Sequence, residues 1–230
     1  MLTNTKSDSL LPKGRVARSQ ERKREALVLA GYKVMSKKGI DQATMQEIAE
    51  LADVGAGTVY SYFKSKDDLA IAVLERLMDD LSLRIESVTN KFSDPAQVYA
   101  FGVRTVIEAA TGDSRWKHLL HRAEVIANAM FNRMGAFAIR DIEMATKAGR
   151  FKVKDARLTF KLASFAIIGA SRGITQGILP ISAIEETVVR LLCMNGLSEA
   201  EAVELARRPR PKLPPENVGL KSNSRKRVST

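Results

Sequence analysis

Apolar residues recur along most of this chain at the three-and-four spacing of an α-helix. Leu27, Ala30, Gly31, Val34 and Met35 fall at i, i+3, i+4, i+7 and i+8, one face of a helix that is expected to start at Ser19, a side chain suited to N-capping. Lys37, Lys38 and Gly39 close it, because cations suit a helix C-terminus and glycine takes the left-handed position beyond it without a Cβ clash. Thr44-x-x-Glu47 has the form of a capping box, and Met45, Ile48, Ala49 and Ala52 supply the stripe of a short helix ending near Asp53. A third helix runs from about Gly55 to Tyr62 or Phe63, and Ser65 caps a long fourth with Asp67 and Asp68 in its first turn. Asp94-Pro95 opens a fifth that closes near Gly112, and residues 115–148 read as one or two more. Asp155 to Leu179 is a long apolar run broken by Pro180, Ser182 to Asn195 is amphipathic, and Ser198-x-x-Glu201 caps a last short helix. Nowhere does a sustained period of two appear, so the fold class is all-α.

The ends follow another rule. Residues 1–18 are polar, contain Pro12 and Gly14 and lack periodicity, which predicts a flexible basic arm. From Pro209 onward four prolines, few apolar residues and a basic end predict a disordered tail over 209–230. The net charge of +11 is concentrated at these ends. Residues 1–66 hold twelve basic against seven acidic side chains, residues 67–206 are near neutral, and residues 207–230 hold eight against one. A basic end on a neutral body suits a polyanionic partner, although a basic tail is also what a merely solvated segment looks like.

Other classes fall away. No apolar stretch reaches the roughly 18 residues of a membrane span, and no apolar run follows a basic start, so a cytoplasmic protein without membrane contact is expected. The single Cys193 excludes an internal disulfide framework. A phosphate loop, a Gly-x-Ser-x-Gly elbow, a zinc-hydrolase motif and a dinucleotide fingerprint are all missing, so neither an enzyme nor a cofactor is expected and no catalytic residue is assigned.

Two short helices joined by a tight turn, with a third behind them, form a helix-turn-helix whose second helix can enter a DNA major groove. The residue types sharpen this. TMQEIAELADVGAGTVYSYFKSKDDL resembles the DNA-binding signature of the tetracycline-repressor (TetR) family: a Thr-led helix, an Ile-Ala pair, a turn, Gly-Thr-aliphatic-Tyr, an aromatic pair, then Ser-Lys-acid-x-Leu. The resemblance covers residues from about 22 to 70; later helices match only in number, length and order. It implies a DNA-binding domain over 19–65, an effector-binding and dimerisation domain over 66–208, and a homodimer on a palindromic operator of double-stranded DNA.

It also implies roles. Thr44, Met45 and Gln46 would start the helix that crosses the phosphate backbone, Ala56, Gly57, Thr58 and Ser61 would face the groove, Tyr60 and Tyr62 would reach phosphates or base edges, and Lys66 would pair with a phosphate. Asp53 departs from the usual turn glycine and Gly55 from the usual Ser or Thr cap. Because that groove face lacks a long amide or guanidinium, specificity would lean on Gln46, thymine methyls, DNA shape or an arm carrying Arg15, Arg18, Arg22, Lys23 and Arg24. Ala163, Gly169, Ala170, Ser171 and Gly173 would let helices approach across a dimer axis, or pack within one chain. Phe101, Trp116, His118, His121, Met130, Phe131, Met134 and Phe137 are candidates to line an effector pocket, or are plain core; aromatic and Met content suits a small apolar or aromatic effector. His118-x-x-His121 with Glu124 lies on one helical face, a metal-binding geometry equally met by an ordinary polar pair, and no metal is expected. The favoured function is a transcriptional repressor released by such an effector; the alternative is a ligand-independent nucleoid or cell-division factor of the same fold.

Overall fold

The computed structural model describes residues 14–112 and 122–216, and these contain nine helices and no strand. They are α1 (Arg15–Lys38), α2 (Met45–Leu51), α3 (Ala56–Tyr62), α4 (Lys66–Thr89), α5 (Pro95–Gly112), α6 (Ala123–Lys147), α7 (Ala156–Thr175), α8 (Ala183–Met194) and α9 (Glu199–Arg207). None is long and apolar enough to cross a membrane.

The caps read from the sequence do the local work. Ser65 and Asp155 accept the backbone N–H of Asp68 and Leu158 at 3.0 and 2.9 Å, Asp94 accepts that of Ala96 at 3.0 Å, and Ser198 with Glu201 closes a second capping box. Three boundaries differ from expectation. Helix α1 begins at Arg15 instead of Ser19: Arg, Ala, Gln and Glu are good helix formers, so helix continues through a stretch with no apolar face to announce it. Helix α7 stops at Thr175, ahead of Pro180. Gly177 sits at φ +73°, and the N–H groups of Ile178 and Gly177 bond the carbonyls of Gly173 and Ile174 at 2.9 and 3.0 Å, a Schellman closure that folds Leu179 back over Gly173. Residues 209–216, expected in a disordered tail, lie extended along the body: the Arg84 guanidinium donates to the Pro214 carbonyl at 2.8 Å and Arg210 pairs with Glu108. Those partners are remote in sequence, so local composition carries no sign of them.

Helices α1 to α3 and the start of α4 share a small core in which Met35, Ile48, Val59 and Leu69 have no exposed surface. Helix α4 runs on into the body, where it packs on α6; α6 packs on α7, and α5 contacts α7 and α8. The two regions are joined by close approach of α1 and α4, where a Cβ on Gly31 would stand 3.2 Å from Val73. One continuous apolar cluster therefore extends from Leu27 to Ala206.

Candidate functional site

The first candidate site is the outer face of α2 and α3. Thr44 adopts an extended conformation ahead of α2; its hydroxyl oxygen accepts the Glu47 N–H at 3.2 Å, and the Glu47 carboxylate accepts the Thr44 N–H at 3.0 Å and its O–H at 2.7 Å. Lys38 also pairs with that carboxylate, and first Lys38, then Thr44, hold it down at about 2. The start of α2 is thus fixed from both sides, while the first backbone N–H groups of a helix point outward without intrahelical partners. Gln46 is exposed and donates to Glu50 at 2.9 Å. Met45, expected at the start of the helix that would cross the phosphate backbone, is 7% exposed and its side chain belongs to the core. Position N1 of this helix faces inward because Ile48 and Ala49, three and four residues on, do.

A Schellman closure joins α2 to α3. The Val54 and Asp53 N–H groups bond the carbonyls of Ala49 and Glu50 at 3.0 and 3.2 Å, and Asp53 takes φ +55°, the left-handed conformation that explains why glycine would suit this place. Gly55 is the N-cap of α3 and offers no side-chain bond. Of the α3 residues expected to face the groove or to reach phosphates and base edges, Gly57, Tyr60 and Ser61 are exposed, with Tyr60 at 56%, whereas Ala56, Thr58 and Tyr62 are half-buried and Ala56 and Tyr62 pack against the core. Gly57, Tyr60 and Ser61 are spaced i, i+3, i+4, one face of the helix. A Cβ on Gly57 would meet nothing within 4 Å among the described residues, so the exposed side of α3 is smooth at that point. Ser61 donates to the Thr58 carbonyl at 2.6 Å, and Lys66 donates to the Asp41 carbonyl at 2.6 Å.

Two cationic features escaped sequence reasoning. Lys64 is exposed beside the aromatic pair, where only its spacing from Tyr60 could have marked it. Arg122, at the N-cap of α6, reaches Asp41 between α1 and α2 at 3.0 Å and Asp67 in the first turn of α4 at 2.8 Å. It joins the body to the head beside Lys66. Conversely, Arg24 lies 5.2 Å over the Phe63 ring, packed into the head, while Arg15, Arg18, Arg22 and Lys23 are exposed on the first turns of α1.

The second candidate site is a cavity of about 80 Å³ enclosed by α4, α5, α6 and α7. Met130, Met134 and Phe137 line it, together with Tyr99, Val103 and Phe160, which the sequence did not single out. Phe101 does not: two residues on from Tyr99 it faces the other side of α5, edge-on to Phe92 at 5.5 Å. Phe131 is 42% exposed beneath the Arg157 guanidinium, at 5.8 Å. Trp116, His118 and His121 lie outside the described residues. At one end Arg140 bonds Glu86 at 2.8 Å and Asp141 at 2.9 and 3.0 Å. Burial raises the Asp141 carboxyl against the opposing pull of Arg140, and burial pushes the Tyr99 hydroxyl up to about 12, so it is a neutral phenol at physiological pH.

A third feature is an apolar stripe on α7. Leu158, Leu162 and Phe165 are 56, 53 and 49% exposed at helical spacing, with Gly169 next along it. The small residues expected to open an interface are mostly spent inside the chain: Ala163, Ala170, Ser171 and Gly173 are buried and only Gly169 is exposed.

With this geometry in hand, comparison with known proteins places two family models on the chain. Residues 27–73 match the family described as bacterial regulatory proteins, tetR family, and residues 94–208 match the tetracyclin repressor-like C-terminal domain. The HTH-type transcriptional repressor KstR of Mycolicibacterium smegmatis is 29% identical over 111 residues, 48% of this chain and 54% of that protein. The HTH-type transcriptional activator FasR of the same organism is 27% identical over 107 residues, 46% of this chain and 49% of that protein. The chain thus spans about half the length of these curated relatives. Among solved structures, RolR in complex with the ligand resorcinol superposes with a TM-score of 0.78 and 27% identity, covering 86% of this chain and all of that one. RolR without ligand gives 0.73 at 27% identity, over 82% of this chain and 99% of that one.

Proposed function

Because the chain belongs to the tetR family of bacterial regulatory proteins, we propose that it is a homodimeric repressor that binds a palindromic operator and leaves it when a small apolar or aromatic effector enters the body. The observation that carries the DNA-binding part is the exposed Gly57–Tyr60–Ser61 face of α3, held by the tight turn at Asp53 against an α2 whose start is fixed by a capping box. Such a face can lie along base edges while α2 meets phosphates. One copy offers little contact area, and two joined through the Leu158–Leu162–Phe165 stripe of α7, with α8 beside it, would read both half-sites.

The effector part rests on the cavity. A filled core would suit the ligand-independent alternative; here four helices leave space lined by methionines and aromatics. At about 80 Å³ it is smaller than the roughly 150 Å³ in which an engineered apolar cavity holds benzene. Met130 and Met134, unbranched and adaptable, can yield to a single ring. RolR, similar in fold and 27% identical, is known with resorcinol, itself a small aromatic. Entry of a ligand acts by favouring one spacing of the two heads over another. Arg122, bound to Asp41 and Asp67, is the contact through which α6 would pull on the head.

The test is binding to the DNA flanking the protein's own gene across a salt series, beside Tyr60→Phe and Lys66→Ala. Saturable binding to one palindromic segment, weakened in both variants and with a shallower salt slope for Lys66→Ala, is expected. Binding of similar strength to any DNA sequence, unaffected by small aromatics, would instead favour the ligand-independent reading.

A further inference from the structure

The cavity does not end at its methionines. Beyond Met130 and Met134 a smaller space of about 20 Å³ continues into the bundle, and Val106, Met130, Met134 and Ile167 line both spaces. Among the described residues the inner lining is apolar except for one side chain, Ser171 of α7, which is 1% exposed. Its hydroxyl has no hydrogen-bond partner among the described residues.

That is unusual for a serine inside a helix, which commonly turns its hydroxyl onto the carbonyl one turn back. Buried serines close by do so: Ser164 donates to the Phe160 carbonyl at 2.8 Å and Ser82 to the Met78 carbonyl at 2.7 Å. Ser171 forgoes this bond and stands in the wall of the inner space instead. A buried hydroxyl without a partner is costly. Water is a poor remedy. A space of 20 Å³ exceeds the roughly 10–15 Å³ that one water needs, but a buried water also needs two to four polar partners, and this lining supplies one.

We propose that Ser171 is the anchor for the polar end of the effector: an uncharged molecule with an apolar ring body and a terminal hydroxyl, the body in the outer space and the hydroxyl carried past Met130 and Met134 to Ser171. The inference rests on the reading of the outer cavity as the effector site. The geometry suits it. Ser171 lies one helical turn, about 6 Å, beyond Ile167, which touches both spaces, so a ligand extending one ring beyond the outer space reaches the hydroxyl. The methionines between have three rotatable bonds each and can move aside. A charged end does not suit it, because the inner lining offers no counter-charge among the described residues.

The test compares 4-phenylphenol with biphenyl, the same body with and without the hydroxyl, by calorimetric titration of the full chain and of Ser171→Ala. The wild-type protein should bind 4-phenylphenol about three- to tenfold more tightly than biphenyl, the worth of one hydrogen bond. Ser171→Ala should lose that preference, keep its affinity for biphenyl and keep its ligand-free operator affinity, which shows that it is folded. A preference that survives in Ser171→Ala, or none in the wild type while biphenyl binds, overturns the anchor and leaves the effector site standing. Failure of the wild type to bind either probe overturns both.

Discussion

The head and the body solve opposite problems. The head's candidate contact surface comes from a stretch of chain between Thr44 and Lys66, on two helices of seven residues each that are too short to stand alone. They are held by fully buried side chains such as Ile48 and Val59, by a capping box at one end of α2 and by a Schellman closure at the other. The body's cavity draws its walls from positions as far apart as Ser82 and Ile167 on four long helices, and leaves space among their side chains. The head's surface rests on contacts between near neighbours in the chain, whereas the body's space is bounded by residues brought together from distant positions. Where the two meet, Arg122 ties them with ion pairs that are only partly buried.

This contrast can be broken by experiment. The largest effect should come from Ile48→Ala: removing a fully buried side chain from the head should cost about 2–5 kcal/mol, read by denaturant unfolding, and abolish DNA binding. Met134→Ala in the body should cost less and tighten binding of apolar rings, because it enlarges space already present. Equal losses from the two would dissolve the contrast. Next, Leu162→Asp on the exposed stripe should yield a monomer in sedimentation velocity with at least tenfold weaker operator binding, while unfolding of the chain barely shifts. Arg122→Ala should barely change stability, since its pairs are solvent-screened, yet shrink the effector-induced change in operator affinity. An undiminished response would show that the head and body communicate elsewhere.

The smallest effects belong to the local devices. Gly55→Ser should add a few tenths of a kcal/mol by supplying the missing cap of α3, visible in chemical denaturation. Glu47 is held at about 2, below its ordinary 4.5, so its contribution is present above pH 4.5 and fades as pH falls toward 2. Glu47→Gln should flatten the acid limb of the stability profile in that window, and a profile identical to the wild type would remove the capping box from the account of how α2 is fixed.

How much of this was legible in the sequence follows from the range of the interactions. The capping boxes at Thr44 and Ser198, the caps at Ser65 and Asp94 and the turn at Asp53 lie within a few residues of the groups they satisfy, so spacing alone reveals them. The same holds for the exposed face of α3 at Gly57, Tyr60 and Ser61, which share one side once the period of the helix is known. Even local reading misled where two signals competed. Gly177 ended α7 before Pro180 could.

Determined by the sequence itself were the helical class, the order of the elements and the helix-turn-helix, because periodicity and capping are properties of neighbouring residues. Only the tertiary structure decided which of Phe101, Met130, Phe131, Met134 and Phe137 face a cavity, that Arg122 bridges to Asp41 and Asp67, that residues 209–216 lie along the body, and that Ser171 has no partner among the described residues. Each depends on which helix lies opposite and at what rotation, set by packing among side chains far apart in the sequence, and no pattern within one helix records it.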